Sequence, residues 1–254
     1  MHWTAGIHAV ETALSGGAAR VRRLRVDHGR RDARLRRLID RAGRAGIPVE
    51  RVDPAALDAC VPGVRHQGVC AEVEGTPVLD ERGLGAHLAA LPHAPLVLVL
   101  DGVQDPHNLG ACLRSAEAAG VDAVVVPRDR AARVTAAVER ASAGAAGRVT
   151  LAAVTNLARA LGTLQDAGCW VVGTAGEAPV SLHDADLTGG LALVLGGEEK
   201  GLRARTRGAC DMLVSIPLAG AAESLNVSVA AGVCLFEAVR QRRAAAARGQ
   251  ANRE

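Results

Sequence analysis

Tyrosine is missing from this chain, phenylalanine occurs only as Phe236, and tryptophan occurs twice. A sheet that reads RNA bases by stacking them on exposed rings needs several aromatics on neighbouring strands, so that mode of recognition is excluded. Lysine is almost absent too: Lys200 stands alone among 30 Lys and Arg residues. No apolar run approaches the roughly 20 residues that cross a bilayer. No basic stretch followed by an apolar one opens the chain, so no signal peptide is expected and a soluble, cytoplasmic protein is. The six cysteines, Cys60, Cys70, Cys112, Cys169, Cys210 and Cys234, include no C-x-x-C pair. They read as reduced, partly buried thiols. Neither G-x-G-x-x-G nor a G-x-x-x-x-G-K-[ST] loop is found, which leaves a Rossmann dinucleotide site and a P-loop NTPase unsupported.

What is present is ample apolar matter and arginine. Apolar residues make up 49% of the 254, enough for one large or two small packed domains, and the net charge is only +3. Residues 1–75 hold 13 Arg against 9 Asp and Glu, with twelve of those arginines between Arg20 and Arg51. Two readings are open: a solvated surface, or a face that contacts phosphate. The same segment reads as a small α/β unit. A helix is predicted from Gly6 to Leu14, and a strand with basic side chains on its exposed face from Arg20 to Val26. Asp32 N-caps a helix whose Leu35, Leu38, Ile39 and Ala42 share one side, and Gly46 ends it. Strands follow at 47–52 and 68–73. Residues 76–95, with Pro77, Pro92 and Pro95, read as a linker with a short helix near Leu84–Leu91.

From Leu96 on, strands and helices alternate. Strands are predicted at 96–101, 121–126, 169–174, 191–196 and 212–217. Helices are predicted at 108–119, 131–142, 156–167, 203–209 and 224–243, and after about Gln241 an Ala- and Arg-rich tail is expected to fray. That alternation implies a mainly parallel sheet covered by helices. In such sheets the loops leaving the carboxyl ends of strands line the ligand crevice. Three segments have the required form. Asp105-Pro-His-Asn-Leu-Gly110 opens into a helix carrying Arg114; Asn108 is a candidate cap, and Gly110 a place where a nucleic-acid backbone comes close. Leu195-Gly-Gly-Glu198 ends an apolar strand. Ser224 and Asn226 precede a long apolar helix and have the chemistry of caps. Each loop alone is unspecific.

Taken in order, Asn108-x-Gly110-x-x-x-Arg114, then Leu195-Gly196-x-Glu198-x-x-Gly201, then Ile216-Pro217-x-x-Gly220-x-x-x-Ser224-Leu225-Asn226-Val227-Ser228 resemble the three motifs of the SpoU/TrmH family of RNA ribose methyltransferases. Asp101–Ala116, Val172–Glu177 and Cys234–Arg242 resemble the branch of that family that acts on 23S rRNA. Gly6-Ile-His-Ala-Val10 and His66-Gln67-Gly68 resemble that branch's substrate domain. The resemblance covers nearly the whole chain. It implies a SPOUT-type α/β methyltransferase domain with a trefoil knot at 96–254, and an L30e-like RNA-binding α/β domain at 1–75. It further implies a homodimer with no membrane or DNA partner, and S-adenosylmethionine as methyl donor with no metal. By similarity Gly196, Ile216 and Leu225 hold that donor, with Thr174 and Leu218 as additions. The implied reaction is methylation of a guanosine ribose in 23S rRNA.

By the same resemblance Asn108, Arg114, Glu198, Ser224 and Asn226 form the catalytic set, with Arg114 proposed in the family as the base. A guanidinium stays protonated in proteins, so gripping the target phosphate and stabilising charge on the 2′-oxygen is the other role open to Arg114. Two alternatives remain: a tRNA ribose methyltransferase of the same superfamily, and a non-catalytic RNA-binding assembly factor. One departure stands out. The branch carries an acidic residue after a Gly-Ala-Ala triplet, whereas here Gly144-Ala-Ala is followed by Gly147 and Arg148.

Overall fold

A computed structural model describes residues 1–17, 20–74, 78–129, 135–198 and 200–251. The chain divides into two compact units. One comprises Met1–Thr76 with Ala143–Arg148, the other Pro77–Ser142 with Val149–Glu254.

The first unit runs β1 (His2–Ala5), α1 (Ile7–Gly17), β2 (Val21–Asp27), α2 (Ala33–Arg44), β3 (Val49–Val52), α3 (Pro54–Cys60) and β4 (Val69–Val73). Its sheet has the order β1-β4-β2-β3, parallel only between β2 and β3, where α2 forms the crossover. Side chains of β4 alternate as a pleat requires. Val69, Ala71 and Val73 join Leu24, Leu35 and Leu38 on one face, while Cys70 meets Leu57 and Val61 on the other. Asp32 caps α2 by accepting from the N–H groups of Arg34 and Leu35, and Gly46 beyond its end takes φ +69°. β2 does carry basic side chains, but they are ion-paired: Arg22 with Glu74, Arg23 with Glu50 and Glu72, Arg25 with Glu50. Gly147, where the acidic residue was expected, accepts a hydrogen bond at its carbonyl from Arg20.

The second unit runs β5 (Val78–Leu79), α4 (Glu81–Ala89), β6 (Leu96–Asp101), α5 (Pro106–Ala119), β7 (Ala123–Pro127), α6 (Ala136–Ala141), β8 (Leu151–Val154), α7 (Leu157–Asp166), β9 (Trp170–Thr174), β10 (Val180–Ser181), β11 (Leu191–Gly196), α8 (Ala204–Arg207), β12 (Met212–Ser215) and α9 (Val227–Ala251). All strand pairs are parallel, in the order β10-β12-β9-β11-β6-β7-β8-β5. Every residue of β6 is buried, as a parallel strand covered on both faces requires. From Val78 on, the stretch read as a linker adds β5 to this sheet and Leu84 and Leu88 of α4 to its core. The first residues of the helix expected at 131–142 lie outside the described residues, and the described part is α6. β1, α3, β5, β8 and β10 were not anticipated.

The last helix differs most from expectation. It begins at Val227 and continues to Ala251. Where fraying was expected, Gln241 accepts from Leu187 N–H (2.9 Å) and donates to Ala185 O (3.1 Å). Arg242 donates to the carbonyls of Ala94, Pro95 and Gly189. These anchors hold the polar end of α9 against the start of β6. Among the described residues no helix is long and apolar enough to cross a membrane.

Candidate active site

The carboxyl ends of β12, β9, β11 and β6 stand side by side, with Gly196 paired to Asp101 and Val214 to Thr174. The chain leaves β6 toward β7 and β8 on one side, while β9 and β11 occupy the other. Parallel sheets leave a crevice beyond the strand ends where the winding reverses in this way. Residues just past these strands are gathered there whatever their separation in sequence.

β6 is apolar until Asp101, whose side chain is fully buried. A carboxylate taken out of water needs compensation. Arg203 supplies it, with its N–H donating to Oδ2 at 2.9 Å and its Nε 2.6 Å from Oδ1. The Asp101 carbonyl also accepts from Gly197 N–H at 3.0 Å. The end of β6 is thereby tied to the loop that follows β11. That loop folds tightly on itself: Gly201, at φ +59°, donates to Gly197 O at 3.0 Å, and a Cβ on Gly196 would run into the Gly201 backbone. Only glycine fits at 196. Asp101 and Arg203 were not singled out from sequence. The available signal was a lone carboxylate ending an otherwise wholly apolar strand.

Asn108 is not the cap of α5. Asp105 is, accepting from His107 N–H at 2.9 Å ahead of Pro106. The Asn108 side chain is thus left to reach across loops. Its Nδ2 donates to Glu198 Oε1 at 2.5 Å, and its Oδ1 accepts from Asn226 Nδ2 at 3.1 Å. Asn226 is the cap of α9, its Oδ1 accepting from Ser228 N–H (2.9 Å) and Ser228 Oγ (2.6 Å). One hydrogen-bonded chain, Glu198–Asn108–Asn226–Ser228, therefore joins the three motif loops. Cys112, one turn further along α5, is no nucleophile. Burial first, and then the Glu198 charge, push its thiol up to about 12.

Ser224 is exposed, precedes the cap by two residues, and makes no side-chain hydrogen bond among the described residues. Arg114 is exposed and likewise unpaired among the described residues. Six residues at about 100° each make its side chain leave α5 on a different side from that of Asn108. Gly110 is buried against α6, where a Cβ would press on the Ser142 N–H and the Val138 carbonyl, each 3.0 Å away. Its role is helix packing, not the approach of a nucleic-acid backbone.

At the far wall, Thr174 Oγ1 donates to Val194 O at 3.4 Å. Ile216 and Leu225 are half-buried, and Leu218 is 37% exposed. Among the described residues, Ile216 to Leu225 make no backbone–backbone hydrogen bond. Their N–H and C=O groups remain available to solvent or to a ligand. Apolar side chains beside free main-chain groups fit the nucleoside and amino-acid parts of S-adenosylmethionine. Among the described residues no group of His, Cys, Asp or Glu is arranged to hold a metal ion.

Comparison with known proteins agrees with this geometry. Residues 95–236 match the model of the SpoU rRNA Methylase family, and residues 4–78 match that of the RNA 2′-O ribose methyltransferase substrate binding domain. A 23S rRNA (guanosine-2′-O-)-methyltransferase RlmB from Xanthomonas axonopodis pv. citri is 53% identical over 94% of this chain and 96% of that protein. One of the same description from Pseudomonas putida is 52% identical over 93% and 95%. The crystal structure of the SpoU methyltransferase AviRb from Streptomyces viridochromogenes, in complex with AdoMet, superposes with a TM-score of 0.75 at 26% identity, covering 95% of this chain and 90% of that one.

Proposed function

The chain belongs to the SpoU rRNA methylase family, and from that premise we propose that it transfers a methyl group from S-adenosylmethionine to the ribose 2′-hydroxyl of a guanosine in 23S rRNA. The observation that carries the reading is the hydrogen-bonded chain Glu198–Asn108–Asn226, which draws all three motif loops to the carboxyl ends of β6 and β11. Relatives described by this reaction align with nearly the full length of the chain.

S-adenosylmethionine supplies an electrophilic methyl group on a sulfonium, which leaves as a neutral thioether. The residues have three tasks. Gly196, Ile216 and Leu225, with Thr174 and Leu218, hold the donor by main chain and apolar contact. Asn108, Glu198 and Asn226 fix the loops, so that donor and ribose meet in line at near-attack distance. Arg114 grips the target phosphate and stabilises the charge that grows on the 2′-oxygen as its proton passes to water. Arg114 is exposed, has no partner among the described residues and leaves α5 on a different side from Asn108, and this supports a homodimer in which the partner completes the site. Val229 and Phe236, seven residues apart on α9, are each about half exposed and suit such an interface. The trefoil knot belongs to the same reading. It is supported by a strand order in which β11 and β12 lie between strands that precede them in the chain. The setting is the bacterial cytoplasm, where rRNA is made.

The test is methyl transfer from labelled S-adenosylmethionine to unmodified 23S rRNA and to unmodified tRNA, with the methylated riboses mapped. One labelled guanosine in 23S rRNA is expected. Label confined to tRNA moves the substrate, and no transfer to any RNA, with the donor unbound, removes the enzyme reading.

A further inference from the structure

Two groups stand out among the twelve arginines from Arg20 to Arg51. Those on β2 face a lattice of carboxylates: Arg23 Nε is 2.7 Å from Glu72, Arg25 Nε is 2.9 Å from Glu50, and both guanidiniums lie over the Trp3 ring, at 5.6 and 5.0 Å. Hydrogen bonds from Arg25, and then Arg23, hold the Glu50 carboxyl below its ordinary range. The charge of that strand is cancelled within the unit.

α2 is different. Its buried side is Leu35, Leu38 and Ala42, and Arg34, Arg37, Arg41 and Arg44 are all exposed. Steps of three, four and three residues at about 100° each keep the four within about 80° of one another, in a stripe roughly 15 Å long. Among the described residues none of the four is ion-paired. They form one wall of an open cleft of about 520 Å³, opposite Ile7, His8 and Glu11 of α1. Gln67 closes one end. At φ +51° it holds a conformation that costs a non-glycine residue energy, and its Oε1 accepts from Ile7 N–H at 3.1 Å. Gly6–Val10 and His66–Gly68, the two stretches singled out in this domain's sequence, thus meet at the cleft. Arg34 and Gln67 also border a second hollow, beside the start of α2, where Arg30 and Arg65 stand with Asp27 and Asp58.

We infer that this cleft is the track on which the first unit holds the RNA backbone, with Arg34, Arg37, Arg41 and Arg44 gripping successive phosphates and the β2 lattice serving only the fold. The inference rests on the rRNA reading above and names the surface that serves it. Arginine's planar fork matches a phosphate with two hydrogen bonds. Glu11 and Asp40, also on the cleft wall, repel phosphate and bound the track. Such contacts place the RNA without reading its sequence.

The experiment compares the full chain with R34Q/R37Q/R41Q/R44Q, using unmodified 23S rRNA transcript as the probe. R36Q, on the same helix about 120° from the centre of the stripe, and R22Q, on β2, are controls. The quadruple variant should bind the transcript at least tenfold more weakly at 0.15 M salt. Its slope of log affinity against log salt should fall by about three, since each lost phosphate contact removes slightly less than one. Its melting curve and affinity for S-adenosylmethionine should stay within error, and both controls should bind within about twofold of the parent. Unchanged RNA affinity overturns the assignment, and so does weaker binding with an unchanged salt slope. Retained binding to protein-free transcript with lost binding to a ribosomal particle also overturns it, pointing to an acidic protein partner. Failure of the parent to methylate rRNA counts against the functional reading alone, because the binding comparison is scored separately.

Discussion

Asn108 and Asn226 sit in one hydrogen-bonded chain, yet their replacement has different consequences. Asn226 also caps α9, and loss of a capping side chain costs about 1 kcal/mol. Asn226→Ala should therefore lower both turnover and the urea midpoint. Asn108→Ala should lower turnover with the smaller change in midpoint, since Asp105 already caps its helix. Equal midpoints for the two variants would remove the capping role. Arg114, exposed and without a partner among the described residues, gives the cleaner separation of chemistry from fold. Arg114→Ala should keep the melting temperature and the affinity for S-adenosylmethionine while losing turnover. Activity within a few-fold of the parent would sink its assigned role. At this scale sequence reasoning found the residues but mistook the attachment of two of them. Asn108 looked like a cap because Asn favours caps, although Asp105 directly ahead of Pro106 is the local signature of a cap followed by proline at the first helical position. Gly110 looked like a ligand approach because the helix it packs against lies some thirty residues away.

Helix α9 shows how an element's end is set by distant partners. Arg242 has three carbonyl acceptors on two separate segments, and truncation strands them; each buried polar group left unpaired costs roughly 1–3 kcal/mol. Arg242→Ala should lower the chemical-denaturation midpoint, and loss of the helix end should appear as faster amide exchange beyond Glu237. Glu237, with a side chain only 9% exposed, is held down to about 2, chiefly by Arg240 and then by Gln241. A carboxyl depressed in this way stabilises the fold above its unfolded pKa near 4.5, and that stability drains away as pH falls from about 4.5 through 2. Glu237→Gln should flatten the acid limb of a pH–stability curve and leave the neutral region parallel to the parent's. Elements with strong periodicity were legible: α2 from its apolar stripe and Asp32, β6 and β11 from unbroken apolar runs ending in loops. The strands that escaped are short. β5 and β10 have two residues each, β1 pairs across almost seventy residues with β4, and β8 follows a stretch rich in alanine and glycine that carries no period.

For the molecule as a whole, the cysteines test how closely the two cores are packed. Burial raises Cys70 and Cys234 to about 12 and Cys169 and Cys210 to about 11, so their reactive thiolates are scarce at neutral pH. DTNB should label Cys60, half-buried beside Arg25, ahead of the other five, and full labelling should need denaturant. Comparable rates for all six would show that the cores open readily. The layout of the second sheet reaches beyond the finished protein to its manufacture. β11 is the strand that fills the space between β9 and β6, and it is made after both. While it is still inside the ribosome, two neighbouring strands expose unpaired edges, the kind of surface that recruits other chains. Translation that stops short of Gly196 would release a product with its central seam open. Proofreading of such fragments by proteases, and shielding of the nascent chain until its last quarter emerges, are costs built into this strand order.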